Sequence, residues 1–205
     1  MKLYCDPLAP NPRRVLWLMA EKGIDDIELV RVETIKGEQR APDYVAKAGL
    51  PLVPALELDD GTVIAETIAI CRYLESLHPD PNLFGRDPRE TAVIEMWTRR
   101  AEQLLATPLM MVVRNTLPAL AVLGRQSPDM AARNEERIEA YLPLFERRLG
   151  ESAFLGAERL TIADIVAAAS VGFARAIRYE FPQSCPNLRR WWDAMRERPG
   201  AKWGR

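Results

Sequence analysis

The chain has 205 residues, 28 Lys and Arg against 29 Asp and Glu, a net charge of −1, and 48% hydrophobic residues. That balance suits one large or two small domains with a real core, and it excludes a global attraction to nucleic acid or to an acidic membrane. No apolar run reaches the roughly 20 residues that span a bilayer, and MKLYCDPLAP lacks the apolar core of a signal peptide; three Cys without a CxxC pair and a single His point to a cytosolic protein with free thiols and no metal site.

Met1 to Cys5 reads as a short strand, followed by the Pro-punctuated loop Asp6 to Pro12. A helix is predicted from Pro12, with Asn11 as its N-cap and Gly23 closing it; Val15, Leu18, Met19 and the aliphatic stem of Lys22 follow one face. Ile27 to Val32 is the next strand, and the polar segment Lys36 to Lys47 a loose helix or loop. Pro54 to Leu58 and Thr62 to Ala65 form a hairpin around the turn Asp59-Asp60-Gly61. Glu66-Thr67 then begins a helix whose Ile70, Leu74 and Leu77 recur at helical spacing, with His78 after its end as a cationic cap. The order β-α-β-α-β-β-α predicts a small α/β domain over residues 1–78, with a Pro-rich linker over 79–87.

From 88 to 205 strand signals are absent, so an all-helical second domain is expected. Pro88 to Met111 contains a long helix with Pro108 as a kink, and Asn134, Ile138, Leu142, Phe145 and Leu149 form an amphipathic stripe. Leu160 to Ile177 is apolar almost all round, as in a helix at the centre of a bundle, and Thr161-Ile162-Ala163-Asp164 before it reads as a capping box. Leu188, Trp191, Trp192 and Met195 give a last helix closed by Pro199-Gly200.

Val53-Pro54 and Glu66-Thr67 within the phrase DDGTVIAETIAICRYLE, joined to a helical half carrying Thr161-Ile162-Ala163-Asp164, resemble the cytosolic glutathione transferases over the whole chain. PNPRRV followed by LMAEKGI looks most like bacterial and fungal members without an obvious catalytic Tyr, Ser or Cys. The resemblance implies a thioredoxin-like N-terminal domain, a helical-bundle C-terminal domain, a homodimer and a role in detoxification in the cytoplasm. It also implies glutathione as co-substrate, attacking a small hydrophobic electrophile held near Met110, Met111, Arg114 and Asn115.

In that family the Val-Pro bond is cis, which would let the N–H and C=O of Val53, beside Pro54, pair with the cysteinyl part of glutathione as an added strand. Thr67 at a helix start suits the γ-glutamyl carboxylate, and the Glu66 side chain suits the ammonium. Ala9 stands where many members carry a catalytic Ser, so Asn11 at the first helix start is the first-domain candidate to stabilise the thiolate, with Asn115 or Thr116 acting through water from the helical domain. Leu52 replaces a polar residue of the family pattern, which leaves Lys36, Gln39 or Lys47 to hold the glycyl carboxylate.

Blander readings accompany these. Cys5 in a strand and Cys71 on an apolar helix face are structural thiols, Arg13 and Arg14 either hold a carboxylate or are solvated, and Trp191-Trp192 is bundle core. Besides the transferase, the sequence admits a non-catalytic binding or assembly protein, or a glutathione-dependent isomerase, dehalogenase or thiol oxidoreductase. The last lacks a Cys in the loop from Ala9 to Asn11.

Overall fold

The structure, a computed structural model, describes residues 1–202. Its N-terminal half runs β1 (Lys2–Cys5), α1 (Pro10–Lys22), β2 (Glu28–Arg31), two 3-10 turns at Thr34–Lys36 and Glu38–Arg40, α2 (Pro42–Ala48), β3 (Ala55–Glu57), β4 (Val63–Ala65) and α3 (Thr67–Leu77). The sheet order is β2-β1-β3-β4, with β1 parallel to β2 and both β1–β3 and β3–β4 antiparallel. Side chains alternate across it. Leu3, Cys5 and Leu56 face α1 and α3 in the main core, whereas Tyr4, Ala55 and Val63 face the other way, in a smaller patch with Tyr44 and Ala48 of α2.

The second half contains α4 (Pro88–Arg100), a π-helical turn at Ala101–Ala106, α5 (Thr107–Thr116), a 3-10 segment at Pro118–Leu123, α6 (Pro128–Glu151), α7 (Ile162–Ala174), α8 (Pro186–Arg196) and a final 3-10 turn at Pro199–Lys202. The wider turn ahead of Pro108 takes the place of the expected kink, because it lets the helix run on past a residue that has no N–H. The largely apolar α7 is buried along most of its length, and the capping box forms: Asp164 accepts from the N–H and Oγ1 of Thr161, and further from Leu155 N (2.8 Å) and Trp191 Nε1 (3.0 Å).

The halves are joined more tightly than a solvated linker would allow. Leu83 and Phe84 are buried, Leu83 N donates to Glu75 Oε1 (2.9 Å), and Leu83 O receives Ile162 N (3.0 Å). Lys22 works through its ammonium rather than only its stem: Nζ reaches the carbonyls of His78 and Pro81 (both 2.7 Å) and Glu75 Oε2 (2.7 Å). Lys22 therefore meets the C-terminal end of α3, where His78 is the C-cap residue and donates its N–H to Leu74 O (2.9 Å). Arg14 is buried in an interdomain ion pair with Glu102 (3.1 Å), and Arg13 donates to Ala201 O (3.3 Å), so neither is a simple solvated cation. The last 3-10 turn lies on α1, where a Cβ at Gly200 would overlap the Trp17 indole.

Asn134 departs from its expected stripe: it is half-buried and its amide bonds Met130 O (2.8 Å). Trp191 is core, but Trp192 is half-buried at the edge of a surface cleft with Arg196. No helix among the described residues is long and apolar enough to cross a membrane.

Candidate functional site

The site is built on three segments that flank strands of the sheet. The first is the turn after β1. Asp6 is 5% exposed; its Oδ1 accepts from Leu8 N (3.1 Å) and its carbonyl from Ala9 N (3.0 Å), which folds residues 6–9 back and delivers Ala9 as the N-cap of α1. The helix therefore starts at Pro10, earlier than its sequence suggests, and Asn11 lies inside the first turn instead of capping it. Pro10 and Pro12 carry no N–H, and Arg13 N bonds Ala9 O (3.3 Å). The N–H of Asn11 is left as the backbone donor at this positive helix end.

The second segment is the entry to β3. The Val53–Pro54 peptide is cis, and Tyr44 Oη donates to Leu52 O (2.5 Å) just before it. Val53 is 9% exposed, yet neither its N–H nor its C=O joins the sheet ladder or bonds another backbone group among the described residues. Its side chain shares the smaller apolar patch with Ala9 and Tyr4, so the first and second segments lie side by side.

The third is the start of α3. Glu66 has φ 68° and ψ 119°, an uncommon backbone for a residue with a Cβ. As N-cap it supplies no side-chain acceptor, and the first-turn N–H groups stay open among the described residues. Glu66 is exposed, and Thr67 is buried directly behind it.

Together these segments offer an extended backbone edge, an open helix start with a carboxylate beside it, and a second helix start with one free donor. That set fits a short zwitterionic peptide bearing a group to be held as an anion. Residues 9–77 match the family model described as glutathione S-transferase, N-terminal domain, and residues 105–199 match the one described as glutathione S-transferase, C-terminal domain.

The chain belongs to the glutathione S-transferase family.

Glutathione S-transferase 2 of Saccharomyces cerevisiae is 34% identical over 205 residues, covering 98% of this chain and 88% of that protein. The crystal structure of Gtt2 from Saccharomyces cerevisiae matches with a TM-score of 0.90 at 34% identity, over 98% of this chain and 99% of the other. A glutathione S-transferase domain-containing protein of Marinobacter aquaeolei VT8 gives a TM-score of 0.91 at 35% identity, over 98% and 99%.

Other candidates in this transferase have partners of their own. Asn115 donates to Met111 O (2.7 Å) and accepts from Ser127 N (2.9 Å), and Thr116 Oγ1 bonds Val112 O (2.7 Å), so both fasten the end of α5. Lys47 is held by Glu57 and by Tyr4 Oη (3.0 Å), and lies over the Tyr4 ring; Lys36 is paired with Glu33. Gln39 differs. It is 6% exposed, and its Oε1 is buried without a partner among the described residues. Tyr4 in turn donates to Glu57 (2.6 Å), and the hydrogen bond from Lys47 holds the Glu57 carboxyl below the ordinary carboxylate range.

Met110 and Met111 are half-buried on α5, and Arg114 beside them donates to Leu123 O (3.0 Å). Arg40, from the turn that carries Gln39, reaches the same carbonyl (3.2 Å). Burial pushes the Cys5 thiol up to about 11 and Cys71 up to about 12, which favours the protonated thiol of both near neutral pH. Sequence reasoning missed Asp6, whose signal is an Asp opening a Pro-rich turn, and, while it allowed Arg14 a carboxylate, it gave no local signal that the partner is Glu102.

Proposed function

We propose that the chain binds glutathione along its N-terminal domain and transfers the thiolate to a small hydrophobic electrophile lodged beside Met110, Met111 and Arg114. The observation that carries this reading is the start of α3. It is left without a side-chain cap, with exposed Glu66 beside it, and so can receive the γ-glutamyl carboxylate on Thr67 and the ammonium on Glu66.

The cysteinyl part pairs with the open backbone of Val53 beside Pro54. The thiolate then meets the N–H and carboxamide of Asn11, in the positive field of α1. No general base is required, since lowering the thiol pKa is enough to populate the nucleophile. The buried carboxamide of Gln39 is the best-placed donor for the glycyl carboxylate, once its oxygen and nitrogen, which exchange places by a flip, are assigned for donation. Lys36 and Lys47 are each drawn toward a glutamate of their own. We propose also that the enzyme acts in the cytoplasm as a homodimer in detoxification; Leu50 and Leu52, 51% and 61% exposed, suit a covered apolar contact.

Calorimetric titration of the protein with glutathione, together with ultraviolet titration of the bound thiol, tests this. Binding with a thiol ionised near neutral pH is the expected result. A bound thiol still protonated well above neutral pH would contradict the transfer step, and no binding at all would select an assembly role.

A further inference from the structure

Asp6 does more than shape its own turn. Its second oxygen, Oδ2, leaves the β1–α1 segment and accepts from Thr34 N (3.0 Å) and Thr34 Oγ1 (2.5 Å), at the head of the 3-10 turns that lead to Gln39. One carboxylate, almost wholly buried, therefore holds two segments that are far apart in sequence: Leu8 on one side and Thr34 on the other. Among the described residues no other side-chain hydrogen bond joins residues 6–11 to residues 34–40.

We propose that Asp6 is a positioning residue for glutathione: by clasping Thr34 it fixes the spacing between Asn11, at the thiol end of the ligand, and Gln39, at the glycyl end. This rests on the binding mode proposed above. A peptide bound at both ends is held well only if those ends are set to its length before it arrives, and a charge-assisted clamp inside the protein supplies that order in advance. A carboxylate suits the task because it only accepts: four donor–acceptor directions are available, and the donors on both sides are N–H or O–H groups. An Asn at the same place keeps one oxygen and turns an NH2 toward one of the two sides, so it can satisfy Leu8 or Thr34 but not both.

The test compares the full-length wild type with Asp6→Asn, Thr34→Val, Thr34→Ser and the double variant Asp6→Asn/Thr34→Val. Glutathione Kd, the pH titration of the bound thiol, and amide exchange at residues 8–11 and 34–40 are measured on chains that melt cooperatively. Asp6→Asn should weaken glutathione about tenfold and raise the bound thiol pKa. Thr34→Val should do most of the same, Thr34→Ser should restore the wild-type values, and the double variant should be no worse than Asp6→Asn. Exchange should rise in both segments together. Variants that lower only the melting temperature, with Kd and thiol titration unchanged, would reduce Asp6 to a fold stabiliser and overturn the proposal, as would additive effects of the two substitutions. Exchange confined to one segment would overturn the clasp even if binding fell. Failure of the wild type to bind glutathione would instead sink the binding mode itself, and is read before any variant.

Discussion

The two halves of the molecule start their helices differently. In the helical half Asp87 caps α4 at Glu90 N (2.9 Å), Ser127 caps α6 at Met130 N (3.3 Å), and Thr161 with Asp164 boxes α7. The start of α8 is met from another helix, by Glu146 on Asn187 N and Leu188 N (both 2.9 Å). In the N-terminal half α1, α2 and α3 have no side-chain cap. A buried or packed helix end must have its N–H groups satisfied, and where the chain declines to do so, the partner comes from water or a ligand. The capped starts belong to folding, whereas the uncapped starts of α1 and α3 frame the place where we propose that an anionic peptide is held.

Substitutions can break that division, beginning with the largest effect. Asp164→Ala removes acceptors for Thr161, Leu155 and Trp191 at once and should cost about 3 kcal/mol of folding stability by urea denaturation, with glutathione affinity of the folded fraction unchanged. Thr67→Ala should do the reverse. It should weaken glutathione by tenfold or more, about 1.4 kcal/mol or above by calorimetry, while the melting temperature hardly moves. Asn11→Ala should lower kcat about tenfold and raise the bound thiol pKa, with a smaller change in KM, since its contact is made chiefly with the charged thiolate. Ser127→Ala, which removes a cap in the helical half, should cost about 1 kcal/mol of stability and leave glutathione affinity as it was.

The smallest effect is electrostatic. The Arg159 hydrogen bond holds the Glu90 carboxyl down at about 2, below the ordinary carboxylate range. On acidification the unfolded chain takes up this proton first, so the pair's contribution is complete near neutral pH and fades as pH falls through the carboxylate range toward 2. Because both groups are partly exposed, solvent screening limits it to about 1 kcal/mol. Stability curves of wild type and Glu90→Gln should therefore converge as pH falls through about 2, and a gap that persists below that value would rule the pair out as their cause.

Much of this was legible in the sequence because it is local. A capping box, a Val-Pro before an alternating run, and Glu-Thr at the head of an amphipathic stretch each carry their signal within a few residues. The start of α1 is not legible locally, because Pro10 and Pro12 both suit a first helical position, and the deciding contact is the turn set by Asp6, itself tied to Thr34. Lys47, Asn115 and Thr116 looked like available donors by residue type, but their partners come from the sheet, from the preceding helical turn, or from the loop before α6. Gln39 could be named from its polarity, yet only burial of an unpartnered oxygen distinguishes it from Lys36.

The most direct measurement is backbone amide NMR of the protein titrated with glutathione. The amides of Thr67 and Ile68, at the uncapped start of α3, should shift and become protected from exchange as the ligand saturates, along with Val53, while those of Met130 and Asp164 at the capped starts stay unchanged. Saturable binding that leaves Thr67, Ile68 and Val53 unperturbed would contradict the assignment of the open helix start to glutathione.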